Sequence, residues 1–266
     1  MCSMTGFLQK LKLQLTHPLV RGLDVDDPLS NQVFSRIIQK NGFLRRIYEQ
    51  WYADIAGSLP SDMDGYVLEL GSGAGFLNRY VPRLITSEIL PISNVDMVLD
   101  GQRMPFADAS LRGIVMLDVL HHLPQVRLFF AEAARCVKHG GVVVMIEPWC
   151  TAWGGFVYRY LHHEPYLPHV EDWHFPPGGP LSAANSALPW MVFQRDRKTF
   201  DREISCWEII RIKPHTPFAY LISGGLSMRP MAPEHWFNAC RRMEKLLSPW
   251  MRHLAMFATI VIRRKE

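Results

Sequence analysis

Apolar positions early in the chain recur at spacings of three and four, then give way to short unbroken apolar runs, and this change of period predicts a change of structure. Over residues 31–57 the apolar side chains are Val33, Ile37, Ile38, Leu44, Ile47, Tyr48, Trp51 and Ile55, the pattern of an amphipathic helix, broken at Asn41-Gly42 and with Ser30 placed to cap its start. The run Tyr66-Val67-Leu68-Glu69-Leu70, ending at Gly71, predicts a buried strand. Leu84–Glu88, Val95–Asp100, Gly113–Asp118 and Val142–Glu147 predict four more, with a short helix between the first two ending near Pro82. Val126, Phe129, Phe130, Ala133, Ala134 and Val137 predict a helix over Pro124–Lys138, stopped by Gly140-Gly141. Strands alternating with helices imply a parallel sheet. One interval resists: about six residues separate the second and third strands, where a parallel crossover takes a dozen or more. We read the crossover helix there as shrunk to a loop.

Beyond residue 148 the pattern loosens. Seven of the eight tryptophans lie at or beyond Trp149, and twelve of the nineteen prolines at or beyond Pro148. Trp207–Ile212 predicts a strand. Pro233–Leu247 predicts a helix with Trp236, Cys240, Met243, Leu246 and Leu247 on one side, and Leu254–Ile262 a last apolar strand. Three regions follow: a helical cap over 1–60, an α/β core over 61–150, and an elaboration over 151–266 whose strands complete the same sheet.

Composition excludes several classes. Hydrophobic residues make up 48% and charged residues 20% of 266, ordinary for a packed protein. The net charge of +4 comes with scattered basic residues, which argues for solvated faces over a nucleic-acid surface. Cys2, Cys136, Cys150, Cys206 and Cys240 are odd in number and form no Cys-x-x-Cys pair, so neither a disulfide scaffold nor a zinc ribbon is expected. Met1–Leu15 does not read as a signal peptide, and no stretch approaches the ~20 apolar residues of a membrane span. The expected setting is cytoplasmic.

The sharpest local signal is Glu69-Leu70-Gly71-Ser72-Gly73-Ala74-Gly75 after the first strand. Glycines at alternate positions let the backbone turn tightly and approach a ligand. The dinucleotide fingerprint G-x-G-x-x-G is not matched, because Phe76 stands where its third glycine should be. Glu69, two residues before the first glycine, would repel a pyrophosphate but attract an ammonium. This stretch resembles motif I of the class I S-adenosylmethionine-dependent methyltransferases. The order downstream is similar to their type 11 group: Asp100, then Arg103–Leu111, then Leu117-Asp118-Val119-Leu120-His121-His122-Leu123-Pro124, then Lys138-His139-Gly140-Gly141. The resemblance covers about residues 66–147. It implies a Rossmann-like, seven-stranded, mostly parallel α/β sheet with flanking helices, here with an N-terminal helical extension and a Trp/Pro-rich C-terminal elaboration. It also implies S-adenosylmethionine as cofactor. Gly71, Ser72, Gly73 and Gly75 would wrap its methionine and ribose parts, and Glu69 its amino-acid end. Glu88 would accept the ribose hydroxyls, Asp100 with Gly101 and Gln102 would lie beside the adenine, and Asp118 would line the centre.

Methyl transfer from a sulfonium is an in-line displacement that needs alignment first, and a base only where the nucleophile must lose a proton. His121 and Glu147 are the candidates for that proton, each with a local structural role as its alternative. The segment from Leu161 through His162, His163, Glu164, His169, Glu171, Asp172 and His174 is rich in ligand types but matches no zinc spacing. A polar loop over the site is expected there, and no metal. Residues 178–190 read as an ordered lid or specificity loop. Residues 217–228, with Met231, Trp236 and Met251, read as core, as a pocket for a greasy acceptor or as a membrane-touching surface. The leading reading is an enzyme that methylates a small, lipophilic organic acceptor, with no nucleic-acid partner. The alternatives are a non-catalytic S-adenosylmethionine-binding regulator and a peripheral-membrane enzyme acting on a lipid precursor.

Overall fold

The computed structural model describes residues 13–175 and 178–266. Cys2 and most of the N-terminal stretch read for a signal peptide lie outside them. Seven strands form one sheet: β1 (Tyr66–Leu70), β2 (Leu84–Glu88), β3 (Met97–Val98), β4 (Leu111–Leu117), β5 (Val137–Pro148), β6 (Trp207–His215) and β7 (Phe257–Arg264). Their order is β3-β2-β1-β4-β5-β7-β6. The first five pair in parallel. β7 runs antiparallel to both β5 and β6, so the C-terminal region closes the sheet begun by the glycine-loop region.

The central strands are buried on both faces, which is why they read as continuous apolar runs. Val67, Val115, Val144 and Ile146 point to one core, against the helices α1 (Ser30–Lys40) and α2 (Gly42–Ala56). Leu68, Ile114, Met116, Val143 and Met145 point to the other, against α3 (Val126–Cys136) and the aromatic cluster Phe193, Phe200 and Trp207. The two-residue alternation of the strands sorts side chains between the two cores.

The helix break falls where it was expected. Asn41 separates α1 from α2, and its side chain accepts from Leu44 N at 3.0 Å. Ser30 does not cap: it is the first residue of α1, and its hydroxyl donates to Val25 O. The helix expected after β1 is only a 3-10 turn, Leu77–Arg79. The shrunken crossover is real, since a loop joins β2 to β3 and the latter is two residues long. Gly140-Gly141 does not stop α3. That helix ends at Cys136, and Val137, fully buried opposite Leu111, starts β5. Gly140, at φ +78°, sits in the irregularity where the pairing shifts from Leu111↔Val137 to Gly113↔Val142.

The C-terminal helix α4 (Phe237–Leu246) departs furthest from its sequence pattern. Its buried residues are Phe237 and Glu244, whereas Trp236, Met243 and Leu246 face solvent. Glu244 is drawn inward because Phe218 N and Ala219 N, at the start of a short helix, both donate to it, at 3.0 and 2.7 Å, and Arg241 pairs with it. Two unsatisfied amides outweigh the apolar stripe. Trp149, Trp173 and Trp207 are core residues and Trp153 and Trp190 are half-buried. Among the described residues no helix is long and apolar enough to cross a membrane.

Candidate active site

The strand order reverses between β1 and β4, and the crevice at the carboxyl ends of the strands on either side of such a point is where ligands bind in open α/β sheets. A cavity of about 750 Å³ opens there. Every residue assigned to the cofactor from the sequence lines it: Glu69, Gly71, Ser72, Gly73, Gly75, Glu88, Asp100, Gly101, Gln102 and Asp118.

The loop after β1 takes its shape from backbone that only glycine adopts freely. Gly71 has φ +67°, and a Cβ there would stand 2.4 Å from Val119 Cγ2 on the neighbouring strand end. Gly73 has φ +45°, and a Cβ there would project toward Glu88, 3.6 Å from Oε2. Ser72 ties the loop to β2: its N donates to Ser87 O at 2.8 Å, and its hydroxyl accepts from Ser87 N at 3.1 Å.

Two carboxylates give the loop end its electrostatics. Glu69 is only 4% exposed, and burial with the nearby Glu88 charge pushes its pKa up to about 7 against the hydrogen bond from Ser72. Glu88 is raised too, by burial, although Ile89 N donates to Oε1 at 2.8 Å and Gly73 N to Oε2 at 3.1 Å. A carboxylate has about four lone-pair sites, so capacity remains for ligand hydroxyls. On the far side, Asp100 Oδ1 accepts from Gln102 N and Nε2, at 2.8 and 3.0 Å. A buried acidic pair that gains from a cation, a glycine cradle and an acceptor pair beside it suit an amino-acid-bearing adenosine. They do not suit a pyrophosphate, which would meet two buried carboxylates.

The cavity continues past Asp118, whose φ is +63°, to His122, His162, His163 and Glu164. Burial, with the Glu164 and Glu147 charges, raises the Asp118 pKa to about 7 against the pull of His121. His121 and Glu147 are not among the lining residues; both are fully buried behind the wall. From the sequence Glu147 is a candidate to take the acceptor's proton. Instead its Oε1 accepts from Val119 N at 2.9 Å and Leu120 N at 2.7 Å, and its Oε2 meets His121 Nδ1 at 2.8 Å. The turn after β4 leaves those two amides without a ladder partner, and the end of β5 supplies one. The other ring nitrogen of His121 meets Glu164 Oε2 at 3.2 Å. Burial alone would lower the His121 pKa, but Glu164 and Glu147 overrule it and hold it well above its ordinary value. Both ring nitrogens are therefore engaged, and His121 positions Glu164 rather than facing the cavity. His122 is pushed down to about 4 by burial and by the neighbouring His121 charge.

The residue that sequence reasoning left without a role is Glu164. Its signal was the His-His-Glu run, which the structure brings over the site as a polar wall. The rest of that segment goes elsewhere: Asp172 pairs with Arg127 at 2.7 Å, and His174 lies beside Asp172 at 3.3 Å. Gly178, Pro180 and Leu181 of the lid segment line the cavity, as do Tyr220, Leu226 and Met228, whereas Met231 and Trp236 are exposed elsewhere.

Residues 68–145 match the family model described as "Methyltransferase domain". Among curated proteins none matches. Two solved structures share the fold. One is geranyl diphosphate C-methyltransferase from Streptomyces coelicolor, in complex with Mg2+, geranyl diphosphate and S-adenosyl-L-homocysteine; it is 12% identical, covers 94% of this chain and 90% of its own, and has a TM-score of 0.52. The other is a chain of the complex between the Haloferax volcanii Trm112 methyltransferase activator and a methyltransferase; it is 13% identical, covers 91% of this chain and 98% of its own, and has a TM-score of 0.51. These residues run from within β1 through its glycine loop and β4 into β5, the elements that build the cavity, and they form a methyltransferase domain of the kind that uses S-adenosylmethionine.

Proposed function

We propose that this enzyme transfers the methyl group of S-adenosylmethionine to a small, lipophilic organic acceptor. The observation that carries the acceptor class is the make-up of the cavity. Past the glycine loop its wall turns apolar, with Val20, Leu23, Phe34, Ile38, Leu161 and Met228, and its volume of about 750 Å³ falls in the ~300–1,000 Å³ range of small-molecule sites. The bound cofactor supplies an electrophilic methyl on a sulfonium.

The protein's own residues do the placing. In this reading Glu69 accepts the ligand's ammonium, Glu88 the ribose hydroxyls, and Asp100 with Gly101 and Gln102 the adenine edge. Gly71, Ser72, Gly73 and Gly75 leave room for the methionine chain. Asp118 bounds the space beyond the sulfur. Glu147 fixes the turn at Val119 and Leu120, and His121 orients Glu164; both are positioning residues. The test is turnover: S-adenosylhomocysteine release with a panel of lipophilic alcohols, acids and amines, set beside polar small molecules, RNA and protein. Turnover confined to RNA or protein would overturn the acceptor class.

A second reading, contact with an anionic lipid surface from which the acceptor is drawn, is favoured by the outer face of α4 and the turn after it. Trp236, Leu246 and Trp250 are 60%, 76% and 55% exposed, and Arg242, Lys245 and Arg252 are exposed beside them in sequence. Tryptophan with basic neighbours is the composition of interfacial elements.

A further inference from the structure

Alignment for methyl transfer does not call for two imidazoles converging on one carboxylate, yet His121 and His122 do this at Glu164. His122 Nδ1 lies 3.1 Å from Ala183 O. A carbonyl oxygen only accepts, so Nδ1 carries the proton, and in the neutral ring Nε2 is a bare lone pair. That lone pair faces Glu164 Oε1 at 3.7 Å, and His121 Nε2 faces Oε2 of the same carboxylate at 3.2 Å. On its other side His121 is held by Glu147. Each ring is thus oriented by an oxygen on Nδ1 and turned with Nε2 toward a common point. Proteins fix the tautomer of metal-binding histidines in this way.

The spacing agrees. One ligand atom from each of His121, His122 and Glu164 falls within 4.8 Å of the others. Three donors each about 2.0–2.2 Å from one ion, on the corners of a tetrahedron, stand roughly 3.4 Å apart. The 3.2 and 3.7 Å separations, in which each imidazole faces its own oxygen of the Glu164 carboxylate, lie on either side of that edge. The charge agrees as well: Glu164 stands at the Nε2 side of His121, and Glu147 and, with Oδ1 at 4.0 Å, Asp118 stand at its Nδ1 side, so the ring lies among three carboxylates. A protonated His121 meets that field with one positive charge; a divalent ion meets it with two.

We propose that His121 Nε2, His122 Nε2 and the Glu164 carboxylate form a divalent transition-metal site in the wall of the cavity. Imidazole with carboxylate suits zinc, iron(II), cobalt or nickel rather than magnesium or calcium, which take oxygen shells. Glu147 and the Ala183 carbonyl form its outer support. His162 Nε2, 3.0 Å from Glu164 Oε2, stands next to the same carboxylate as a further donor. His122 and Glu164 line the cavity while His121 stands behind them, so the site borders the acceptor space. An ion there would bind an acceptor oxygen and lower its pKa, which gives the otherwise apolar pocket a polar handle. This departs from the sequence expectation of no metal. It does not depend on the acceptor class, because metal uptake is read without turnover.

The experiment is a titration of the untagged, chelator-treated protein with cobalt(II), followed by visible d–d absorption, with S-adenosylhomocysteine binding by calorimetry as the check on folding. One ion per chain is expected, displaced by zinc. His122→Ala and Glu164→Gln should lose the absorption while still binding S-adenosylhomocysteine, and Glu147→Gln should weaken cobalt binding ~10-fold or more. His122→Asn keeps a donor for Ala183 O and replaces the alanine variant if that one does not fold. The proposal is overturned if the wild type takes up no cobalt, if the variants bind it as the wild type does, or if nitrogen shifts show His121 doubly protonated in the presence of saturating metal.

Discussion

Glu69 is nearly sealed from water beside Ser72, and its raised pKa makes a definite demand on folding. Its pKa moves from 4.5 to about 7. Below 4.5 both the folded and the unfolded chain hold the proton; above that value the unfolded chain releases it and the folded one does not. Stability of the ligand-free protein therefore falls as pH rises through the window between 4.5 and about 7, by roughly 3 kcal/mol from this one group. Urea unfolding across that window should show the slope in the wild type, and Glu69→Gln should remove Glu69's share of it while weakening S-adenosylhomocysteine binding. Equal slopes in the two proteins would mean that Glu69 ionises in the fold as readily as in the unfolded chain. The glycines separate in the same way. Gly71→Ala meets a rigid valine, with its Cβ 2.4 Å from Val119 Cγ2, so both folding and binding should suffer. Gly73→Ala finds open space short of Glu88 and costs only about 1–2 kcal/mol for its left-handed backbone. Gly73→Val should abolish binding, by calorimetry, in a protein that still unfolds cooperatively.

At the scale of elements, the junction of α1 and α2 rests on Asn41. Its side chain accepts from Leu44 N at 3.0 Å and donates to Ser223 O at 2.8 Å, which joins the helical cap to the C-terminal region. Asn41→Ala loses the cap and leaves a carbonyl without that donor, at a cost of about 2 kcal/mol in chemical denaturation. Because α1 supplies Phe34 and Ile38 to the cavity, the same substitution should weaken acceptor binding. The outer face of α4 makes the opposite kind of prediction. Leu246→Asp removes an apolar group that is 76% exposed, so stability should change little, within about 0.5 kcal/mol. In liposome flotation with anionic vesicles, Leu246→Asp with Trp250→Ala should lose the bound fraction of the wild type. Flotation unaltered by the pair, or absent in the wild type, would remove the lipid-surface reading.

For the whole molecule, the cavity joins parts far apart in the chain, from Val20 to Met228, around one sheet. A ligand that binds only the folded state stabilises all of it together, by about 2.7 kcal/mol at a hundred times its Kd. S-adenosylhomocysteine should raise the melting temperature in a concentration-dependent way, and NAD should not; the reverse ranking would undo the cofactor assignment. The periodicity of the chain was enough to find β1, β2, β4, β5 and the break at Asn41. The glycines and acids picked out at the strand ends all line the cavity. These features are local: a run that is buried on both faces must be apolar, and a turn with positive φ selects glycine whatever lies around it. The sequence did not reveal which polar groups would satisfy one another across the fold. Glu147 turned inward to the amides of Val119 and Leu120, His121 was caught between Glu147 and Glu164, and Glu244 rather than the apolar stripe of α4 took the buried place. Each of those pairings joins residues more than twenty positions apart, the His121–Glu164 contact spanning 43. The chain itself determined where it turns and what it must bury; the closure of the sheet decided which carboxylate meets which donor, because a buried polar group must find its partner among whatever the tertiary packing brings within hydrogen-bond reach.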